Sequence, residues 1–285
     1  MNPPEIFDRN TRRLKRDRAV AGFAAHAFLL DHIAESLLDR LDLVSRSFSH
    51  VLNLGCFDGR LGDALARRDI TVVNADAGFG FARAAGGIQC DEDRLPFADE
   101  SFDLVVSGSV LDQVNDLPGA LSLIRRILKP DGLFLAGFVG AGSLPKLRSA
   151  TMAADMAAGS AVGSRLHPQI DVRAAGDLLG RAGFTLPVAD GERLTVRYAD
   201  PLRILSDLRG MAATNTMKQR AMPLSRARLR ALVESFAAET DGDGRLTEIF
   251  ELIFMTGWAP GPDQPKPARR GSGKQSLTDV LHPPR

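Results

Sequence analysis

Four short stretches of the chain carry residues whose types and spacing suit ligand chemistry. Gly55-Cys56-Phe57-Asp58-Gly59 follows one apolar run and precedes an apolar-periodic segment. Asp76 closes a second apolar run, Asp91-Glu92-Asp93 follows a third, and Ser107-Gly108-Ser109 ends a fourth. Glycine lets the backbone approach a bound group closely because no Cβ intervenes. The first N–H groups of a helix after such a turn point at a ligand. Carboxylates at successive strand ends suit a nucleoside: Asp76 accepts from ribose hydroxyls, and Asp91 or its neighbour Glu92 accepts from an adenine amino group. Gly55, Asp58, Gly59, Asp76, Asp91, Glu92 and Ser107 are therefore the candidate cofactor-binding residues. No side chain stands out as a general base, so the catalytic residues are left unassigned.

The elements that must position these residues follow from periodicity. Short apolar runs at 51–54, 70–75, 88–90, 104–107 and 133–139 alternate with helical patterns at 61–68 and 117–128. Such alternation, with strands apolar throughout, indicates a parallel sheet covered on both faces. Lys129-Pro130-Asp131-Gly132 reads as a helix stop and turn. Residues 7–43 read as helical, and further helices are expected at 172–182, 201–213 and 225–238, with strands at 194–198 and 249–258. The organisation expected is an N-terminal helical cap (1–45), a main domain (46–259) with an insertion at about 142–170, and a flexible tail (260–285) rich in Pro, Gly and basic residues.

Composition narrows the function classes. At 44% hydrophobic residues, 285 residues can bury a substantial core, and a net charge of +1 supplies no field for nucleic acid or an anionic membrane. The longest apolar stretch, 133–141, is too short to span a bilayer, and no signal segment opens the chain, so a cytoplasmic protein without an integral membrane segment is expected. Cys56 and Cys90 form no CxxC pair, which fits a reducing compartment. His26, His32, His50, His167 and His282 show no ligand spacing, and no metal site is expected. The basic run from Arg9 to Arg18 lacks interleaved aromatics, which speaks against nucleic acid. It can close over the site, dock on an acidic partner, or be a solvated helix face.

An acid about 20 residues past the glycines is also what a dinucleotide site needs. Here, however, the glycines fall at Gly55, Gly59 and Gly62 and not in the G-x-G-x-x-G pattern that cradles a pyrophosphate. Asn53-Leu54-Gly55-Cys56-Phe57-Asp58-Gly59, Asp76, Asp91-Glu92-Asp93-Arg94-Leu95-Pro96-Phe97, Ser101-Phe102-Asp103-Leu104-Val105 and Leu128-Lys129-Pro130-Asp131-Gly132-Leu133 together resemble the successive motifs of class I S-adenosylmethionine-dependent methyltransferases. The resemblance implies a seven-stranded, mostly parallel, Rossmann-like α/β sheet with S-adenosylmethionine at the strand ends. Phe7-Asp8-Arg9, Val114-Asn115-Asp116-Leu117-Pro118, Leu178-Leu179-Gly180-Arg181-Ala182-Gly183-Phe184, Asp207-Leu208-Arg209-Gly210-Met211 and Thr256-Gly257-Trp258 resemble one subgroup, the methyltransferase-like assembly factors of respiratory complex I. The malonyl-carrier-protein methyltransferases of biotin synthesis are relatives of that subgroup. For the assembly factors the resemblance implies hydroxylation of an arginine on a complex I subunit, so a protein partner of that kind is expected.

Three positions depart from the pattern. Asn53 stands where an acid is usual, and a neutral acceptor is worth about 0.5–1.5 kcal/mol against about 1.5–3 for a charged one. Phe57 replaces the middle glycine, where a positive φ would cost a bulky residue about 1–2 kcal/mol and its ring would enter the pocket. Asp112-Gln113 stands where the subgroup often has His-Trp. In the insertion, Leu144, Leu147, Met152 and Met156 form a lid or plain core, with Arg165, His167 and Asp171 the nearest polar substrate contacts. No Asn/Asp-Pro-Pro-Tyr follows the fourth strand, against an adenine or glutamine amino-methyltransferase. The preferred reading is an S-adenosylmethionine-binding enzyme acting on a protein partner in complex I assembly, by methyl transfer or arginine hydroxylation. The rivals are a non-catalytic assembly or scaffold protein with a degenerate cofactor site, and an O-methyltransferase of a small molecule or acyl carrier.

Overall fold

The computed structural model describes residues 5–159, 163–219, 221–262, 264–265 and 271–272. Most of the expected tail, 260–285, lies outside the described residues. Among the described residues seven strands form one sheet in the order β3-β2-β1-β4-β5-β7-β6. β1 (His50–Leu54), β2 (Thr71–Asp76), β3 (Ile88–Gln89), β4 (Phe102–Gly108) and β5 (Leu128–Val139) are mutually parallel, and β7 (Leu246–Trp258) runs antiparallel between β5 and β6 (Thr185–Tyr198). The sheet is the seven-stranded, mostly parallel Rossmann-like sheet expected. The strand order reverses between β1 and β4, which is where such a sheet opens a crevice for ligands.

Both faces are covered because alternate strand residues point to opposite sides. Val51, Leu104, Val106, Leu133 and Leu135 enter one core, and Leu52, Leu54, Val105, Phe134, Ala136 and Phe138 the other. The first face is covered by α2 (Phe28–Asp42), which buries Leu29, Leu30, Ile33, Ala34, Leu37 and Leu41 along one stripe. The second is covered by α5 (Leu117–Ile127) and α7 (Val172–Arg181). Each fully buried large apolar side chain contributes roughly 1.5–3 kcal/mol, so these stripes fix where the strand ends lie.

The expected helix over 7–43 is broken in the structure. After α1 (Arg9–Ala19) comes a 3-10 stretch, Val20–His26, before α2 begins. The break turns Phe23 into the core, where it is 1% exposed. The first half of β6 and a short α4 (Phe79–Ala84) were absent from the periodicity reading. In Thr185-Leu186-Pro187-Val188-Ala189-Asp190-Gly191 the Pro and Gly imitate a loop, and the strand lies at the sheet edge, where exposure alternates and Pro is tolerated. At 129–132 the pairing jumps from Phe102↔Leu128 to Leu104↔Leu133, so the expected turn is a bulge inside β5, with Asp131 at φ 60°. In the insertion, α6 (Pro145–Ala157) packs on α9 (Arg226–Ala238). Leu144 and Leu147 are buried, whereas Met152 and Met156 are exposed and so are not core.

Candidate functional site

The turn after β1 is tight and left-handed at three positions: Gly55 (φ 80°), Phe57 (φ 47°) and Gly59 (φ 87°). A Cβ on Gly55 would stand 2.5 Å from Val110, and the Gly55 and Cys56 N–H groups both donate to the Ala75 carbonyl. Only glycine fits Gly55, since both the φ and the neighbour exclude a side chain. Phe57 accepts the same backbone strain in exchange for packing. Its ring stacks on Phe23 at 4.9 Å and meets the edge of Phe81 at 5.4 Å.

The expected acids stand at the strand ends, and each already has a cationic partner from the chain itself. Arg9, Arg12, Arg13 and Arg16 recur at i, i+3, i+4 and i+7, which places them on one face of α1. Arg16 grips Asp76 through Nε at 2.7 Å and through Nη2, and its guanidinium lies 4.0 Å over the Phe57 ring. Arg12 makes a two-pronged pair with Glu92 at 2.6 and 2.7 Å. Arg13 reaches Asp91 at 2.6 Å, and Arg9 holds Asp93 at 2.6 and 2.7 Å. Arg12, Arg16, Asp76, Asp91 and Glu92 are all at most 5% exposed. Charges this deep are tolerated only when paired, and bidentate arginine–carboxylate geometry is the strong form of pairing.

Asp76 has no capacity left. Besides Arg16 it accepts the Phe57 N–H at 3.0 Å and the Gly78 N–H at 2.7 Å, so its roughly four acceptor sites are taken. Beside the turn lies a cavity of about 30 Å³ bordered by Phe23, Phe57, Ser109 and Asp112. That suffices for a water, whereas cofactor pockets run to about 300–1,000 Å³. With α1 docked, the acids expected to meet a nucleoside are met by arginines of that helix.

The other expected residues separate into groups. Asp58 accepts from Arg60 at 2.9 Å, and Arg60 also pairs with Asp31. Ser107 is buried at the end of β4 with an unpartnered hydroxyl, as are the Ser109 hydroxyl and Asp112 Oδ1. Burial pushes Asp112 up to about 6. Asn53 donates to Asn74 Oδ1 at 2.9 Å, a pairing within the β1–β2 layer, and its own Oδ1 has no partner. Arg165 is locked onto Asp155 at 2.6 Å, Asp171 caps α7 by accepting from the Ala174 N–H, and His167 Nε2 accepts from the Thr216 N–H at 2.9 Å. Among the described residues no cluster of three His, Cys, Asp or Glu side chains is placed to hold a metal, and no helix is long and apolar enough to cross a membrane.

Docking of α1 left one signal that the sequence reading missed. A Cβ on Gly78 would come within 2.7 Å of Arg16 Cβ, and one on Gly80 within 2.8 Å of Val20. The Gly80 N–H also donates to Asp17 at 2.8 Å. The Gly78-Phe79-Gly80 spacing after Asp76 therefore marks a close approach of backbone to another element, which is α1.

Residues 52–136 match a family described as a methyltransferase domain. The arginine-hydroxylase NDUFAF5, mitochondrial, of Danio rerio is 31% identical over 96% of this chain and 89% of that protein. The chain belongs to the S-adenosylmethionine-dependent methyltransferase superfamily. A malonyl-[acyl-carrier protein] O-methyltransferase of Methylovorus sp. is 32% identical over 90% of each chain, so both relatives that the motifs resemble are matched along nearly their whole length. Among solved structures, the YcgJ protein of Bacillus subtilis has a TM-score of 0.55 at 17% identity, covering 79% of this chain and 98% of that one. Phosphoethanolamine N-methyltransferase 2 of Haemonchus contortus, in complex with S-adenosyl-L-methionine, has a TM-score of 0.54 at 16% identity, covering 87% and 60%. At such identities these two likenesses concern the fold alone.

Proposed function

We propose that this member of the superfamily serves the assembly of respiratory complex I by binding a protein partner, with a cofactor crevice that its own N-terminal helix keeps shut. The observation that carries the reading is the Arg16–Asp76 pair, which fills the position expected for the cofactor ribose. The link to complex I rests on the subgroup motifs and on relatives named arginine-hydroxylase NDUFAF5. In this reading the residues from 5 to 45 act as an arm and cap on the domain that follows. A cytoplasmic setting is supported by two buried, unpaired thiols, with Cys90 pushed up to about 12 by burial and by Glu92.

The retained geometry favours a second reading, an enzyme gated by the arm. Gly55 and Gly59 keep left-handed backbone, and Asp76, Asp91, Glu92 and Ser107 keep their strand-end places. If α1 lifts, these residues would hold S-adenosylmethionine, which supplies a transferable methyl group. The chain's own part would then be to position the acceptor, the main source of rate in such a transfer.

Calorimetry on the full chain separates the two readings. The closed reading expects no saturable heat with S-adenosylmethionine or S-adenosylhomocysteine at millimolar concentration. Micromolar binding by the unaltered protein, equivalent to about 8 kcal/mol, would sink it. Binding gained only in Arg16→Gln would establish the gate. Intact mass of the candidate complex I subunit, with and without this protein, then tests the chemistry. An unchanged mass together with lost assembly supports partner binding, and an added oxygen or methyl supports the enzyme.

A further inference from the structure

A cavity of about 340 Å³ lies outside the crevice, between α6, α8 (Arg203–Gly210) and the segments 165–167, 213–215 and 221–224. Leu147, Leu166, Leu205, Leu208, Met222 and Leu224 make its wall predominantly apolar. Its volume falls in the range of small-molecule sites.

The polar side chains of the wall are mostly committed. Arg165 is neutralised by Asp155, and the Thr151 hydroxyl donates to the Arg148 carbonyl. Asn215 donates to the Ser164 carbonyl and accepts from the Met217 N–H. His167 uses Nε2 as an acceptor, and burial, with Lys15 and Arg12 nearby, lowers it to about 4, so it stays neutral. Arg209 alone among the charged wall groups has no ion pair or hydrogen bond from its side chain among the described residues, and it is exposed at the rim.

An apolar chamber with one uncommitted guanidinium at its mouth selects a ligand with an aliphatic body and an anionic end. We propose that this cavity binds a medium-chain aliphatic carboxylate, its chain against the leucines and its carboxylate on Arg209. The guanidinium fork matches a carboxylate in geometry and charge. Orientation follows from the neighbouring cavity. Ala213 lines both, and the inner one carries the Asp112 carboxyl, which repels an anion. The carboxylate therefore stays at the outer end, and the chain runs inward.

The test uses the full chain and titrations with hexanoate, octanoate, decanoate and decanol below their aggregation concentrations. Each pair of added methylenes should tighten carboxylate binding by about tenfold until the chamber is full. Decanoate should bind at least about tenfold more tightly than decanol, and Arg209→Gln should remove that margin while leaving decanol unchanged. Leu205→Trp should weaken all the chains by filling the chamber. Equal affinity for decanoate and decanol, indifference to Arg209→Gln, or no dependence on chain length each overturns the proposal. Arg209 is exposed, so its variant keeps the test valid if Leu205→Trp fails to fold.

Discussion

The crevice at the ends of β1, β2 and β3 and the cavity beside α8 treat charge in opposite ways. In the crevice four arginines of α1 meet Asp76, Asp91, Glu92 and Asp93, and Arg12, Arg16, Asp76, Asp91 and Glu92 among them are buried. Around the cavity Arg165 is paired, but Arg209 faces outward with no partner among the described residues. Buried ions must be matched at folding, because water is no longer there to stabilise them. An exposed ion can remain unmatched and wait for a ligand. A region in which every charge is matched from within has little left with which to recognise another molecule.

The sharpest way to break this comparison is to unpair one side of the crevice. Arg16→Ala leaves Asp76 buried with only the Phe57 and Gly78 N–H groups, and Arg12→Ala isolates Glu92. Each should cost roughly 3–5 kcal/mol in urea unfolding. A cost below about 1 kcal/mol would show that α1 is loosely held and the crevice open. Phe57→Gly comes next. Losing a buried ring costs about 3–5 kcal/mol and relief of the left-handed strain returns about 1–2, so a net loss of roughly 2–3 is expected.

Acid titration probes the two buried groups that lie between the regions. Asp112, raised from 3.8 to about 6, holds its proton more tightly folded than unfolded, so its contribution to stability falls as pH rises from about 4 to about 6. His167, lowered from 6.5 to about 4, holds its proton less tightly folded, so its contribution rises between about 4 and 6.5. Each effect is worth roughly 3 kcal/mol over its window, and in the unaltered protein the two slopes largely cancel. Asp112→Asn should therefore gain stability from pH 4 to 6.5, and His167→Gln should lose it, as read by urea midpoints at each pH. The smallest effect belongs to the open side: Arg209→Gln should move stability by less than about 0.5 kcal/mol.

Much of the crevice was legible because its parts are local. Each apolar run and the polar residue closing it lie within a few positions, and Gly55, Phe57 and Gly59 announce a turn by type alone. Phe57 has the positive φ that its place in the turn implies, and its ring packs on Phe23 and borders the small cavity. Asp58, expected to bind a ligand, accepts from a neighbour two residues on, Arg60. The methionines of α6 show the opposite failure. Their helical spacing resembled a core stripe, but the buried stripe of that helix runs through Leu147, Ala150 and Ala154, while Met152 and Met156 lie outside.

The sequence by itself determined the doubly covered sheet, the superfamily and the strand-end acids, because periodicity and turn chemistry act over a few residues. It also placed four arginines on one helix face. Only the tertiary structure decided that this face meets those acids, across separations of 60 residues for Arg16–Asp76 and 84 for Arg9–Asp93. Which of several possible partners a charge takes depends on where packing brings the two elements together. Here that means α1 crossing the glycines at Gly78 and Gly80. The same separation hid the cavity, whose wall is drawn from α6, α8 and two loops.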